Sequence, residues 1–453
     1  MKNWIISPSE EISGDVQVAR DKSISHRAVM LAALSDGCCE ISNFLDGEDC
    51  LATLAAFSAM GIQYERAGSD LKIYGKGLRG LTAPSSALDF GNSGTGMRLM
   101  MGVLAGQKFN STLIGDSSLM KRPMRRVSEP LTLMGAQILT TEKGTAPVQI
   151  TGSNLTAIDF SLPVASAQLK SALMFAALYA DGTTTIRESL GISRDHSERM
   201  FSAFALDIVE ENTADGKIIK VTGGKNPQAC DVAVPGDISS AAFFIVAGLI
   251  AKSGKIVLRE VGINPTRAAV IDILKMMGGR IELKNIRNRA GEDVADIEVL
   301  PSELHGIDIP AKFVPIAIDE FPILFIAASC ASGVTTAEKI GELRVKESDR
   351  LGLMEENLRR LGIECEAGLE TMKIVGKAGN DGDFTVFRGG EIETCGDHRI
   401  AMSFAVASLR AATEIKIIDC ENVATSFPNF LEIAEKTGLK IREITEYSRS
   451  ISK

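Results

Sequence analysis

One pattern recurs six times along the chain: a loop of small or polar residues runs directly into an apolar helix. The clearest copy is the loop Gly91-Asn92-Ser93-Gly94-Thr95-Gly96, followed by an apolar run to Gly106. The copies begin near residues 21, 91, 164, 236, 318 and 396 and end at residues 37, 106, 182, 254, 333 and 411. This period of about 70–80 residues is longer than that of solenoid repeats. It predicts six copies of one larger folding unit.

Each copy continues in the same way beyond its apolar helix. A β-rich run follows, then an amphipathic helix, usually stopped by a Gly, and then short strands. Because a helix that is apolar on most sides must be buried, we expect the helices inside and the sheets outside. The predicted fold class is α/β: a two-lobed inverse α/β barrel with six βαβαββ repeats, three per lobe. The predicted domains are an N-terminal lobe of residues 18–235 and a C-terminal lobe of residues 1–17 plus 236–453.

Composition excludes several classes of protein. A chain of 453 residues is too long for one ordinary core, which agrees with two lobes. Its net charge of −9 argues against a general nucleic-acid or membrane-surface binder. The longest apolar run, Ala241 to Ala251, is well short of the roughly 20 residues that span a bilayer, and no signal-peptide pattern opens the chain. The eight cysteines and four histidines show no metal spacing, so we expect no metal, reduced cysteines and a cytoplasmic location.

The loops and helix starts are basic although the chain is acidic. The unpaired N–H groups at a helix start favour a nearby anion by roughly 0.3–1 kcal/mol. Cations collect at these places in five of the six repeats, which indicates a substrate, or a pair of substrates, with several negative charges. If the two lobes face each other at these ends, six helix starts converge on one cleft. The cations are Lys22, Arg27, Lys121, Arg122, Arg125, Arg126, Arg194, Arg344, Lys346, Arg350 and Arg399.

Carboxylates stand among these cations and are candidate proton carriers. Asp319-Glu320 opens the fifth buried helix, and Glu347 follows Lys346. The residues alone leave other roles open: Asp319 could cap its helix, Glu347 could form a surface ion pair, and His398 could be a capping or supporting residue. The chain has no Walker A sequence, no Gly-x-Ser-x-Gly elbow and no Rossmann fingerprint, so nucleotide use is not indicated.

Ten motifs, in this order, resemble the 5-enolpyruvylshikimate-3-phosphate synthase family along nearly the whole chain. The resemblance implies two lobes of inverse α/β architecture. It also implies transfer of the enolpyruvyl group from phosphoenolpyruvate to the 5-hydroxyl of shikimate 3-phosphate, without a metal or organic cofactor. The motifs are DKSISHR (21–27), GNSGTGMR (91–98), GDSSLMKRPM (115–124), ASAQ (165–168), SRDHSERM (193–200), PGDISSA (235–241), IDEFPIL (318–324), ELRVKESDRL (342–351), GDHRIAM (396–402) and SFPNF (426–430).

The resemblance also implies roles for individual residues. Asp319 would be the base for the 5-hydroxyl, and Glu347, helped by Lys22, would exchange a proton at the methylene carbon. Contacts to shikimate 3-phosphate are implied for Lys22, Ser23, Arg27, Ser166, Ala167, Gln168, Arg194, Asp319 and Lys346. Contacts to phosphoenolpyruvate are implied for Lys22, Asn92, Gly94, Arg122, Gln168, Lys346, Glu347, Arg350 and Arg399.

Some positions depart from the enterobacterial pattern, and the motifs ASAQ (165–168) and SRDHSER (193–199) look like the second, less glyphosate-sensitive class of the family. Thr425-Ser426 replaces a Lys before Phe427-Pro428, and Glu342 replaces an Asn, whereas Gly94 is the small residue of sensitive enzymes. Two alternatives stay open. A UDP-N-acetylglucosamine enolpyruvyl transferase would use a loop cysteine, which residues 115–124 lack. A non-catalytic anion-binding protein would not need carboxylates among its cations. We expect a monomer whose only partners are the two small substrates.

Overall fold

A computed structural model describes residues 2–214, 216–289, 291–378 and 384–445. Its α-helices are α1 (Lys22–Leu34), α2 (Glu48–Ala59), α3 (Gly94–Ala105), α4 (Arg125–Leu133), α5 (Ala167–Ala177), α6 (His196–Ala203), α7 (Ile238–Ile250), α8 (Ala269–Met276), α9 (Val314–Ala317), α10 (Phe321–Ser329), α11 (Arg350–Arg360), α12 (His398–Ala407) and α13 (Phe430–Thr437). None of the helices in the described part of the chain is long and apolar enough to cross a membrane.

The strands are short and follow the helices as the repeats predict. They are β1 (Lys2–Ser7), β2 (Gly14–Val16), β3 (Asp36–Ser42), β4 (Gln63–Ala67), β5 (Asp70–Lys76), β6 (Leu88–Asp89), β7 (Asn110–Ile114), β8 (Gln137–Leu139), β9 (Val148–Thr151), β10 (Leu155–Thr156), β11 (Asp159–Ser161), β12 (Ala180–Asp181), β13 (Thr183–Glu188), β14 (Ile208–Thr213), β15 (Gly216–Thr222), β16 (Val232–Ala233), β17 (Ile256–Gly262), β18 (Arg280–Arg289), β19 (Glu292–Leu300), β20 (Ser332–Ala337), β21 (Glu364–Ala367), β22 (Met372–Lys377), β23 (Gly390–Glu393), β24 (Ile415–Ile418) and β25 (Lys440–Thr445).

Six of the helices are buried, one in each repeat, and side chains cap the starts of five of them, all but α10. Asp21 accepts a hydrogen bond from the Ile24 amide at 2.8 Å, and Ser93 does the same for the Gly96 amide at 3.1 Å. All thirteen residues of α7 are buried, as expected for a helix without a polar face. The predicted buried helices α1, α3, α5, α7, α10 and α12 are therefore confirmed.

The sheets repeat one topology, in which the first two strands are parallel and the next two pairings are antiparallel. The order is β16-β3-β5-β4, β6-β7-β9-β8, β11-β13-β15-β14, β2-β17-β19-β18 and β23-β24-β1-β25. The fifth repeat departs from it, because its sheet β20-β22-β21 has three strands. Only the isolated bridges His305–Ser332 and Asp308–Thr336 stand in place of the first strand. Pro310, which has no N–H to donate, closes that segment.

The described residues divide into two compact units. The N-terminal unit comprises residues 20–235 and 288–292, and the C-terminal unit comprises residues up to 19, 236–287 and those from 293 onward. In the N-terminal unit α3 packs directly on α5, where Gly102 lies so close to the Ala172 carbonyl that a Cβ would meet it at 2.1 Å. In the C-terminal unit α7, α10 and α12 contact one another pairwise. Each unit therefore has its buried helices inside and its sheets outside.

Candidate active site

In the N-terminal unit, side-chain hydrogen bonds tie the starts of α1, α3 and α5 together. The buried His26 ring contacts the Thr53 hydroxyl through Nδ1 at 2.8 Å and the Ser93 hydroxyl through Nε2 at 3.5 Å. Ser93 caps α3, so His26 of α1 helps to fix the loop that carries Asn92 and Gly94. Gln168, in the first turn of α5, donates to the Thr95 hydroxyl at 2.9 Å. The predicted loop and helix starts are therefore neighbours within this unit.

Arg122 holds the small-residue loop from one side. Its Nη2 donates to Asn92 Oδ1 at 2.6 Å, and the Asn92 amide donates to Asp116 Oδ2 at 2.7 Å. A Cβ added at Gly94 would stand 3.2 Å from Arg122 Nη1 and 3.1 Å from Arg98 Nη1. The lack of a side chain at position 94 therefore leaves room for two guanidinium groups beside the helix start.

Arg27 is buried, and each of its three guanidinium nitrogens donates a hydrogen bond to a neutral oxygen. Nε donates to the Ser197 hydroxyl at 2.7 Å, Nη2 to the Ser171 hydroxyl at 2.7 Å, and Nη1 to the Ser23 carbonyl at 2.9 Å. Burial lowers the pKa of Arg27 to about 10. The group therefore still carries its charge at neutral pH, and that charge is not cancelled by these three partners.

The other predicted residues of this unit lie at helix starts or in loops. Lys22 begins α1 and pairs with Asp49 at 3.1 Å; Ser166 caps α5, and Ala167 is its first residue. Arg194 is half-buried in the loop before α6. By contrast, Arg125 donates to the Glu142 carbonyl at 2.9 Å and is exposed, so it lies outside these contacts.

A buried ion group underlies the loop of Arg194. Lys170 Nζ lies 3.0 Å from Glu188 Oε2 and 2.6 Å from Glu198 Oε1, and none of the three side chains is exposed. Glu188 also accepts from the Ser193 amide at 3.1 Å, which fixes the residue next to Arg194. Burial raises the pKa of Glu198, against the pull of Lys170. Sequence reasoning missed this group, although Lys170 inside an apolar helix was an available signal.

In the C-terminal unit, the predicted carboxylates and cations meet directly. Asp319 Oδ1 lies 3.4 Å from Lys346 Nζ and 3.4 Å from Arg350 Nη1. Asp319 sits in a 3-10 turn, and the residue at the N-cap of α10 is Glu320. Lys346 also pairs with Glu342 at 2.7 Å. The capping role that the residues alone left open for Asp319 is therefore not what the structure describes.

Arg350 is the centre of this cluster and is 1% exposed. Its Nε donates to Asp397 Oδ2 at 2.8 Å, and its Nη2 pairs with Glu347. Burial alone would lower the pKa of Arg350, but the carboxylates of Asp397, Glu347 and Asp319 raise it. Burial likewise opposes ionisation of Asp397, yet Arg350 holds the Asp397 pKa below its usual value. Arg350 therefore stays charged while it orients Asp319 and Glu347.

Arg399, in the first turn of α12, joins the starts of α10 and α12. Its Nη1 donates to the Asp319 carbonyl at 3.0 Å and lies 3.4 Å from Glu320 Oε1. Glu320 also accepts from the Ser239 hydroxyl. Arg344 lies outside the cluster, because it donates to the Leu369 carbonyl at 3.0 Å and pairs with Asp349. Sequence reasoning gave no role to Asp397, and it placed Glu320 among the candidate proton carriers without foreseeing its contact with Arg399.

Comparison with known proteins identifies the family of this chain. The sequence pattern of EPSP synthase (3-phosphoshikimate 1-carboxyvinyltransferase) matches residues 6–433. The chain belongs to the EPSP synthase family. A 3-phosphoshikimate 1-carboxyvinyltransferase of Methylococcus capsulatus is 52% identical over 436 residues, which cover 96% of this chain and 97% of the relative. One of Acidithiobacillus ferrooxidans is 50% identical over 442 residues, which cover 97% and 98%.

Solved structures agree with the fold. EPSP synthase from Acinetobacter baumannii superposes with a TM-score of 0.89 at 48% identity and covers 98% of this chain and 100% of that one. The enolpyruvyl transferase NikO from Streptomyces tendae has a TM-score of 0.77 at 17% identity, covers 98% and 99%, and supports the fold alone. The predicted inverse α/β fold with two domains is therefore confirmed. Within the described residues, no His, Cys, Asp and Glu side chains group as a metal site would require.

Proposed function

We propose that this protein transfers the enolpyruvyl group of phosphoenolpyruvate to the 5-hydroxyl of shikimate 3-phosphate, giving 5-enolpyruvylshikimate 3-phosphate and phosphate. Family membership supports this reaction, as do relatives that are named for it. The observation that carries it is the position of Asp319 between Lys346 and Arg350, with Glu347 on the same arginine. One base and one acid thus stand among cations, as an addition and elimination between two anions requires.

The proposed mechanism assigns one proton transfer to each carboxylate. Asp319 takes the proton of the 5-hydroxyl, and the oxygen attacks the central carbon of phosphoenolpyruvate. Glu347, helped by Lys22, gives a proton to the methylene carbon, which completes a tetrahedral adduct. Elimination then breaks the carbon–oxygen bond to phosphate, which leaves with the proton that Asp319 had taken, and the methyl group returns a proton to Glu347. No redox step occurs, and the reaction needs no cofactor.

We assign the shikimate 3-phosphate contacts and the phosphoenolpyruvate contacts as the motifs imply, residue by residue. The hydrogen bonds of Arg27 to neutral oxygens and the two guanidinium groups that lie beside Gly94 support a binding role for the N-terminal residues. We propose that the protein acts as a monomer, as expected from the sequence. The eight free cysteines support a reducing, cytoplasmic location.

The deciding experiment measures phosphate release from phosphoenolpyruvate in three parallel reactions. One contains shikimate 3-phosphate, one contains UDP-N-acetylglucosamine, and one contains neither acceptor. Release only with shikimate 3-phosphate is expected. Release only with the sugar nucleotide would overturn the proposed acceptor. If folded protein releases no phosphate in any of the three reactions, a non-catalytic binding protein is favoured.

A further inference from the structure

Glu320 is a buried carboxylate beside Asp319 that the proposed mechanism does not use. It is 1% exposed and sits at the start of α10. Its Oε1 accepts from the Ser239 hydroxyl of α7 and lies 3.4 Å from Arg399 Nη1 of α12. Burying a carboxylate is costly unless the charge is paired. A buried charge at the meeting point of three helix starts therefore calls for a reason.

The direction of the hydrogen bonds around Ser239 is fixed by chemistry. Arg267 is 2% exposed, and its Nη2 donates to the Ser239 hydroxyl at 2.7 Å and to Asp237 at 3.1 Å. Because a guanidinium can only donate, the Ser239 oxygen must accept there. Its single proton is then directed to Glu320. Glu320 Oε1 thus accepts from Ser239, and the same oxygen lies 3.4 Å from Arg399 Nη1.

In the described part of the chain, one nitrogen of the Arg399 guanidinium, Nη1, makes the recorded contacts. The contacts described for its guanidinium involve Nη1, which donates to the Asp319 carbonyl at 3.0 Å and to Glu320 Oε1 at 3.4 Å. Among the described residues, no hydrogen bond is recorded for its Nε or Nη2. Two parallel donors on one edge are the arrangement that grips a carboxylate or phosphate through both oxygens.

We propose that Glu320, aligned by Ser239 and Arg267, is the positioning residue that fixes the Nη1 corner of Arg399 and so presents its free edge to phosphoenolpyruvate. This inference rests on the proposed function, because it names the substrate that Arg399 holds. Glu320 touches neither substrate and acts through Arg399. Its loss should therefore weaken the grip on phosphoenolpyruvate and leave shikimate 3-phosphate unaffected.

The kinetic test uses Glu320→Gln, which keeps the size of the side chain and removes its charge. The KM for phosphoenolpyruvate should rise about tenfold, as expected for a lost charge-assisted contact. The KM for shikimate 3-phosphate should change less than about twofold, because ground-state binding of that substrate is untouched. Equal changes in both KM values, or no change in either, would overturn the proposal, since a merely structural residue gives no such split.

Two neighbouring serines provide a matched control. Ser239→Ala removes the donor to Glu320, whereas Ser240 is the next buried residue of α7 and, in the described part of the chain, has no recorded contact with Glu320 or Arg267. Ser239→Ala should raise the KM for phosphoenolpyruvate, and Ser240→Ala should not. The double variant Ser239→Ala with Glu320→Gln should show little effect beyond Glu320→Gln alone, because both changes act through one contact. Fully additive effects would contradict the shared contact.

Crystal structures of the wild type and of Glu320→Gln test the arrangement without turnover. The Arg399 guanidinium should move away from the Asp319 carbonyl in the variant. If Arg399 keeps its place, the positioning role is wrong whatever the kinetics show. If the wild type shows no enolpyruvyl transfer while Arg399 moves in the variant, the proposed function fails and the positioning of Arg399 by Glu320 stands.

Discussion

The two units hold several of their cations in different ways, although Lys22 of the N-terminal unit also pairs with a carboxylate, that of Asp49. In the N-terminal unit, the contacts described for Arg27, Arg98 and Arg122 go to hydroxyl, amide and carbonyl oxygens. In the C-terminal unit, Lys346 and Arg350 pair with carboxylates. Neutral acceptors orient a cation without cancelling its charge, which suits the binding of an anion. Carboxylates cancel the positive charge but can accept and donate protons, which suits general acid–base catalysis.

The same comparison explains where each unit places its buried carboxylates. In the N-terminal unit, Glu188 and Glu198 both pair with Lys170, and none of these three is among the predicted site residues. Glu188 also fixes the loop that carries Arg194, because it accepts from the Ser193 amide. Asp319 of the C-terminal unit lies among the predicted residues themselves, beside Lys346. We therefore expect substitution of Asp319 to change turnover. Substitution of Lys170 should change stability, and substitution of the serines that orient Arg27 should change substrate binding.

The largest effect is expected for Asp319→Asn. Loss of a positioned general base costs about 10²- to 10⁴-fold in turnover, while binding of shikimate 3-phosphate should persist, because the cations remain. Steady-state phosphate release and calorimetric titration with shikimate 3-phosphate measure the two quantities. Asp349→Asn is the control, since Asp349 is an exposed carboxylate of the same unit that caps α11. Near-normal turnover of Asp319→Asn would show that another group removes the proton.

Lys170→Met tests the buried group of the N-terminal unit. It leaves Glu188 and Glu198 buried without their cation, which should cost about 3–5 kcal/mol of unfolding free energy. Glu198→Gln is the matched variant and should cost far less, because burial already raises the pKa of Glu198 and the Lys170–Glu188 pair remains. Urea unfolding measures both. Equal losses for the two variants would mean that the cation is not what stabilises this group.

The buried His26 should make the free energy of unfolding depend on pH. Burial, with smaller contributions from Lys22 and Arg27, lowers the pKa of His26 to about 3, from 6.5 for a solvent-exposed imidazole. The unfolded chain therefore binds a proton between these pH values and the folded chain does not. Stability is full above pH 6.5 and falls as the pH drops toward 3, by about 2 kcal/mol between pH 7 and 5.

The variant His26→Gln removes this titration and keeps a group that can bond to Thr53. Its unfolding free energy should fall less than that of the wild type between pH 7 and 5, as measured by urea unfolding at each pH. Parallel pH profiles for the two proteins would contradict a neutral, buried His26.

The smallest effect is expected for Ser197→Ala, which removes the acceptor of Arg27 Nε. An unsatisfied buried donor costs about 1–3 kcal/mol, and because the charge of Arg27 remains we expect the lower end of this range. The KM for shikimate 3-phosphate should rise about tenfold with a smaller change in kcat. Ser202→Ala, an exposed position on the same helix, is the control. An unchanged KM would separate Ser197 from substrate binding.

Much of the fold could be predicted because its signals are local. The apolar helices, their caps at Asp21 and Asp237, and the glycines after the amphipathic helices each lie within one short stretch of sequence. The period of the repeats then predicted that the folding unit occurs six times. The incomplete sheet of the fifth repeat could not be predicted. The bridges of His305 and Asp308 that replace its first strand depend on Ser332 and Thr336, which lie 27 and 28 residues further along the chain.

The sequence by itself determined which elements form and which residue types gather at the helix starts, because propensity, capping and periodicity act over a few residues. Only the tertiary structure decided which of these residues meet. Arg27 and Ser197 are 170 positions apart, Ser239 and Glu320 are 81 apart, and Arg399 and Glu320 are 79 apart. Contacts over such distances exist only after the buried helices have packed. For that reason Asp319 and Arg399 could be proposed from motifs, whereas the support that Glu320 gives to Arg399 could not.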